Sequence, residues 1–417
     1  MKKRILYLSV IIAVVLVGFC VYKIASPSIV KVNDEQVKSV TSSVCLSEDG
    51  YYYTPDLMTL YFCDRLTGET IVACNKPDCG HGSVSCNARF STAGADEMIC
   101  NIFEYAGSLY VETRGLDENN GRVYACDMVS GKRELVLKAE GTMEGMVVSQ
   151  GCFYYVVEIT HQSHMEEIEE NSFVEWSERT CELHRFDLRS GKDKVMYEWS
   201  SGQECVSPTY SLCTGNYDAT RYIYGVLFYH KSVEEAVSLE TTDMHATLYR
   251  YDIESGKMEA YAIPDALSMS GGYGWVYDDR LYYTHYEDSC TDIICYDPAS
   301  QEGELYIRSD RDGVEPQYID GYIAFACNRD EVRRAYFDME SEQLYIREAS
   351  DNGSYSILGL SRDLNLVAYD GTDYTGFSEG LYTYNPCTYM IDNLDSFLTS
   401  QYALYENGYE PYVFLGD

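Results

Sequence analysis

Residues 124–131 read YACDMVSG, and their reading decides the fold because the phrase returns along the chain. It recurs as YFCDRLTG ending at Gly68, HRFDLRSG ending at Gly191 and YRYDIESG ending at Gly256. Looser copies follow as ICYDPAS around Asp297, AYFDMES around Asp338 and YTYNPCT, with Asn385 in the Asp place. Alternating aromatic and apolar residues suit a strand, an Asp side chain can close the tight turn, and Ser-Gly supplies the left-handed position before the chain returns.

A second signal, a turn followed by an aromatic strand, precedes each copy: DGYYY (Asp49), AGSLYV (Ala106), QGCFYY (Gln150), ATRYIY (Ala219), DDRLYY (Asp278), DGYIAF (Asp320) and RDLNLVAY (Arg362). Two hairpin turns per unit imply four strands. Seven such units over residues 40–417 average 54 residues each. Repeated four-stranded units arranged radially are the blades of a β-propeller. The expected fold is therefore all-β, a propeller of four-stranded antiparallel blades, seven in number, with six or eight as alternatives. The 41 tyrosines track these strands, so most are expected to pack between blades.

The spacing is uneven. Successive Asp or Asn positions are separated by 63, 60 and 65 residues in the first four copies and by 45, 41 and 47 in the last four. The surplus lies in three insertions: residues 161–180 between the second and third strands of unit three, 230–246 at the same point of unit four, and the stretch after the fourth strand of unit one. With alternating strand directions, all three emerge on one face of the disc, which is the expected ligand face. Segments HMEEIEENSFVEW and SVEEAVSLE within two of the insertions suggest short helices.

The chain opens with MKKR and an uncharged run of 18 residues, Ile5 to Tyr22. That length suits one membrane-crossing helix with its basic end inside. Residues 1–25 are read as an anchor or signal segment, 26–39 as a linker and 40–417 as an ectodomain on the extracytoplasmic side of the cell membrane. The alternative is a lipoprotein, with Cys20 in VGFC as the lipidated residue. Acidic residues number 67 against 31 basic, a net charge of −36, which excludes nucleic acid as a partner and leaves membrane contact to the N-terminal helix. Sixteen cysteines, many inside strands such as YFCD and IICYD, suit small buried hydrophobes better than a disulfide framework.

Unit one's insertion reads CNKPDCGHGSVSC, with Cys74, Cys79, His81 and Cys86 in a C-x4-C-x-H-x4-C pattern. Three thiols and an imidazole are a complete ligand set for a structural Zn²⁺. A local disulfide with one thiol over, or a loop of unligated thiols, are the other readings. The combination of N-terminal anchor, Asp-x-x-Ser/Thr-Gly turns (Asp64–Gly68 and its copies) and an early CxKPxCxH…C loop (Cys74, Lys76, Pro77, Cys79, His81, Cys86) resembles an uncharacterised group of exported, TolB-like propeller proteins of Gram-positive anaerobes. The resemblance implies a propeller fold and a cell-surface location, and it carries no activity.

Other motifs are weaker. GFSEG (Gly376–Gly380) matches the nucleophile elbow formally, but a strand follows where a helix is needed, so Ser378 is not assigned as a nucleophile. SDRDG (Ser309–Gly313) is too short for a calcium loop. His161, His164, His230 and His245 bracket two insertions and could converge on one face. Two functions follow. One is a non-catalytic module holding a protein, peptide or glycan on the insertion-bearing face. The alternative is a glycan hydrolase or lyase with carboxylates in the central channel.

Overall fold

Each Asp of the repeated phrase closes its turn through its own side chain. Asp64 Oδ1 accepts from the amides of Leu66 at 2.9 Å and Thr67 at 2.8 Å, and Gly68 N donates to Asp64 O at 2.9 Å. Asp127, Asp187, Asp252, Asp297 and Asp338 accept from their own i+2 or i+3 amides in the same way. Gly68, Gly131, Gly191 and Gly256 sit at φ +67°, +68°, +63° and +67°, in the left-handed region that glycine enters most cheaply.

These turns close the outer hairpins of a seven-bladed β-propeller whose blades 1 to 6 are built on four antiparallel strands. A computed structural model describes residues 37–415 apart from 116–119, 218–221, 238–244, 264–273, 311–315, 328–332, 348–355, 371–376, 383–388, 405–412 and scattered one- and two-residue stretches. Blade 1 consists of Val44–Leu46, Gly50–Tyr53, Tyr61–Asp64 and Thr70–Val72. Blade 3 consists of Thr142–Ser149, Cys152–Glu169, Ser172–Asp187 and Lys192–Ser200, and the same order, inner strand to outer, holds in blades 2, 4, 5 and 6. Among the described residues no helix is long and apolar enough to cross a membrane. The anchor expected within residues 1–25 lies outside the described residues.

Blade 7 corrects one expectation. Its second strand, Leu366–Asp370, pairs with Tyr389–Asn393, and Leu366 stands opposite Asn393 as Gly50 stands opposite Asp64. Asn393 thus occupies the Asp place, and Asn385 lies outside the described residues. Leu381–Tyr382 instead folds back on Phe377–Ser378 as a two-residue hairpin, which also removes the elbow geometry from Ser378. Asn393 Oδ1 accepts from Ser396 N at 3.0 Å and so caps a helix, Leu394–Gln401, where a fourth strand would run. The helix buries Leu394, Phe397 and Leu398 against Tyr322, Tyr336, Val367 and Tyr369 of blades 6 and 7.

The ring closes by packing: Ile391 of blade 7 lies against Tyr51, Tyr53 and Cys63 of blade 1. Along the axis, Val37–Val40, which straddles the end of the stretch read as linker, pairs with blade 3's inner strand and with Thr214–Tyr217. Thr214–Tyr217 runs parallel to blade 5's inner strand, Thr214 opposite Trp275. Backbone therefore spans the channel between blades 3 and 5, in the half nearest the Asp turns, since Lys38 pairs with Val148 close to the turn at Gln150. Tyrosines do pack between blades, with Tyr51, Tyr154, Tyr155, Tyr210, Tyr224 and Tyr296 fully buried.

Candidate functional site

The insertion of unit three is a β-hairpin, not a helix. The second and third strands of blade 3 continue their pairing from Cys152 opposite Asp187 up to Glu169 opposite Ser172. The first strand stops pairing at Glu158 and the fourth at Thr180. Beyond that level the two strands leave their own blade for about nine more residues each, an arm of roughly 30 Å at about 3.3 Å per residue whose return strand touches blade 4. Helix-forming residues there are overridden by cross-strand pairs: the His164 and Trp176 rings stack at 4.1 Å, Trp176 Nε1 donates to Glu166, and the Ser163 and Ser177 hydroxyls meet at 3.1 Å. At its base Ser177 N donates to Ser207 Oγ of blade 4 at 2.9 Å. The insertion of unit four does form a short helix, Val233–Val237.

The four histidines do not share one partner: His230 and His245 both face Glu235, whereas His161 and His164 pair elsewhere. His161 Nε2 meets Thr180 Oγ1 at 2.7 Å, His164 Nε2 lies 3.4 Å from Glu178, and His245 Nε2 lies 3.4 Å from Glu235. Burial lowers the affinity of His230 for a proton. They do not form one site.

At the arm's foot lies a polar group that sequence reading missed. The inner strands of blades 2, 3 and 4 each carry an irregularity toward the insertion face: between Ile99 and Asn101, between Met143 and Met146, and between Val206 and Thr209. Bulges re-aim side chains, and the one in blade 3 turns Glu144 to Arg114 of blade 2 at 3.3 Å. Beside them Glu112 is buried and accepts from Asn101 Nδ2 at 2.9 Å. Burial pushes its carboxyl up to about 7, with Asn101 and Arg114 opposing and Glu144 adding to the rise. On the next boundary Arg179 pairs with Glu158 at 3.2 Å and reaches Thr209 of blade 4. Gly145 after Glu144 was the one local hint, a glycine inside a strand pattern.

The cysteine–histidine loop leaves blade 1's outer strand and forms a compact knuckle. The ligand atoms of Cys74, Cys79, His81 and Cys86 all lie within 4.8 Å of one another, and Cys86 Sγ is 3.5 Å from His81 Nδ1. With Zn–S near 2.3 Å and Zn–N near 2.0 Å, the edges of a tetrahedral site come to roughly 3.5–3.8 Å. His81 takes φ +56° between Gly80 and Gly82, and Gly82 N donates to Gly80 O at 2.8 Å. Burial pushes the Cys74 thiol up, but the amides of Lys76 and Asn87 and the thiols of Cys86 and Cys79 outweigh it and bring it to about 6. Cys86 is raised to about 11, by burial first, against the amide of Ala88, and further by Cys74 and Cys79. One thiolate forms readily and suppresses the next, which is the electrostatic situation a divalent cation relieves. The cluster could hold a metal, and it is the only such group among the described residues.

No family model matches the chain, and no curated protein does. Solved structures resemble it in fold. A prolyl endopeptidase chain aligns at TM-score 0.50 and 13% identity, over 91% of this chain and 50% of that one. TolB from Acinetobacter baumannii aligns at 0.32 and 10%, over 74% and 62%, and an oligogalacturonate lyase in complex with manganese at 0.42 and 11%, over 80% and 87%. The chain thus spans half of the endopeptidase and under two thirds of TolB. At these identities the likeness is one of fold, and a fold of this kind carries no activity with it.

Proposed function

We propose that this chain is a membrane-anchored, extracytoplasmic binding module that holds a protein, peptide or glycan on its insertion-bearing face, with a structural zinc ion at Cys74, Cys79, His81 and Cys86. The observation that carries the reading is the arm. A two-stranded extension standing clear of its blade gains little stability by itself, so its length asks for a partner. The arm is rich in acid, with Glu166, Glu167 and Glu169 on the outgoing strand and Glu175 and Glu178 on the return.

The test joins Thr160 to Arg179, which face each other across the hairpin, through an Asn-Gly turn. The full chain in mild detergent and this shortened form are compared on glycan and peptide arrays. The reading expects ligands bound by the full chain and lost by the shortened form, with unchanged thermal unfolding. Equal binding by both forms overturns it.

One observation favours a catalytic reading as well. A buried carboxyl that holds its proton near neutrality beside a carboxylate–arginine pair is the equipment of a general acid. If the arrays return a glycan that the full chain degrades and a Glu112→Gln variant binds but leaves intact, the enzyme reading replaces the module.

A further inference from the structure

The residues after Cys86 are core, although they belong to no blade. Cys86, Ala88 and Phe90 are completely buried in one cluster with Cys45 and Leu60 on the blade 1 side and Ile99, Ile102, Leu109 and Val111 of blade 2. Their backbone is tied to both sides. Leu60 N donates to Ala88 O at 2.9 Å and Phe90 N to Met58 O at 3.3 Å, while Glu97 N of blade 2 donates to Phe90 O at 3.2 Å. Arg133, on blade 2's outer strand, clamps the same segment: it donates to the carbonyls of Arg89 and Cys86, and its guanidinium lies 4.7 Å from the Phe90 ring centre. Asn75 Nδ2 reaches Val129 O in blade 2's Asp turn at 3.1 Å.

Blade 1 has little else to hold it. Its four strands have three or four residues each, and the cluster it forms toward blade 7 contains three buried hydrophobic residues. The segment 86–90 is placed by the knuckle just before it, whose other fixings are a few loop hydrogen bonds, Cys79 N to Lys76 O at 3.3 Å and Cys86 N to Ser83 O at 2.9 Å among them.

We infer that the metal centre is the joint between blades 1 and 2: by fixing Cys86 it seats Ala88 and Phe90 in the cleft between the two sheets. This rests on the zinc reading above. Removing the metal unseats the plug and loosens blade 1 and the facing side of blade 2, while blades 3 to 6, which pack through their own strands, stay folded.

The experiment uses the full chain in mild detergent. Metal analysis is expected to find one zinc per chain, lost in the double variant Cys79→Ser, His81→Ala and retained in His81→Cys, which rebuilds a four-ligand site. Amide hydrogen exchange is then followed with and without 1,10-phenanthroline. The joint predicts that the amides of Leu60, Ala73, Phe90 and Glu97 lose protection by about tenfold or more on chelation, that those of Val156, Leu183 and Leu248 do not, and that His81→Cys behaves as the parent protein. Absence of zinc from the parent chain overturns the zinc reading and the joint together. Zinc present but exchange unchanged by its removal overturns the joint alone. Loss of protection throughout the ring overturns its local character.

Discussion

Blades 1 and 3 are built on the same phrase and reach stability by different routes. Blade 3's strands run 8, 18, 16 and 9 residues, and Tyr154, Val156 and Leu183 join Tyr210, Leu227 and Leu248 of blade 4 in one continuous cluster. Blade 1's strands run 3, 4, 4 and 3 residues, and a loop supplies Cys86, Ala88 and Phe90 to the cluster it shares with blade 2. Strand length sets how much apolar surface a blade can bury, and a blade below the useful length needs a cross-link, as small domains do. The turn chemistry is identical in the two blades. What differs is what the turns hold together.

The largest effect separates them directly. Leu183→Ala in blade 3 removes a fully buried side chain from the continuous cluster and is expected to cost about 2–5 kcal/mol in denaturant unfolding, whether or not chelator is present. Leu60→Ala beside blade 1 is expected to cost a similar amount with zinc bound and less than about 1 kcal/mol with zinc removed, because the cleft it lines is then already open. Equal costs at Leu60 in both conditions would erase the distinction between the blades.

At the boundary between blades 2 and 3 the expected dependence is on pH. The folded value of Glu112, about 7, lies above its ordinary 4.5, so the folded state holds this proton more tightly than the unfolded chain does. The stabilisation is complete below 4.5 and is lost as pH rises through 7. Stability is expected to fall between pH 5 and pH 8 by up to about 3 kcal/mol, and Glu112→Gln should flatten that slope. Denaturant midpoints measured across the range for both proteins check it. A slope that persists in the variant would assign the pH dependence elsewhere.

Local chemistry was legible in the sequence and long-range pairing was not. The Asp turns could be read because the carboxylate and the amides it accepts lie within three residues. The four ligands of the knuckle lie within thirteen residues, so their convergence needs only a short loop. HMEEIEENSFVEW misled because its helix formers satisfy a local preference that the Ser163–Ser177 and His164–Trp176 pairs override. Tyr384-Asn385-Pro386 imitates the phrase locally, yet Leu366–Asp370 selects Tyr389–Asn393, a choice set by pairing across more than twenty residues. The same holds for the channel strands and for the Glu112, Arg114 and Glu144 group, which the inner-strand bulges of blades 2 and 3 assemble.

The contrast sharpens last at the turns themselves. In blade 6 the Asp338 carboxylate is buried, which alone would raise it, but bonds from Arg362 and Ser341 and the Arg362 charge bring it below the ordinary carboxylate range. Arg362 also donates to the carbonyls of Asp320 and Gly321 and to Glu340, tying blade 7 to blade 6. Asp338→Ala is expected to cost about 1–3 kcal/mol, and because the folded value is depressed, the parent protein should lose this contribution only as pH falls below about 4. The smallest effect runs the other way. Blades 1 to 4 place glycine at the left-handed position after the Asp turn, whereas blades 5 and 6 place Gln301 at φ +59° and Glu342 at φ +55°. A residue with a Cβ is strained there by about 1–2 kcal/mol, and glycine gives back part of that gain through its freer unfolded chain. Gln301→Gly and Glu342→Gly should therefore each raise stability by roughly 0.5–1 kcal/mol, read as a higher denaturant midpoint at unchanged slope. A loss at either site would mean that its side chain makes a contact worth more than the strain, and that the later turns differ from the earlier ones in more than their residue at that position.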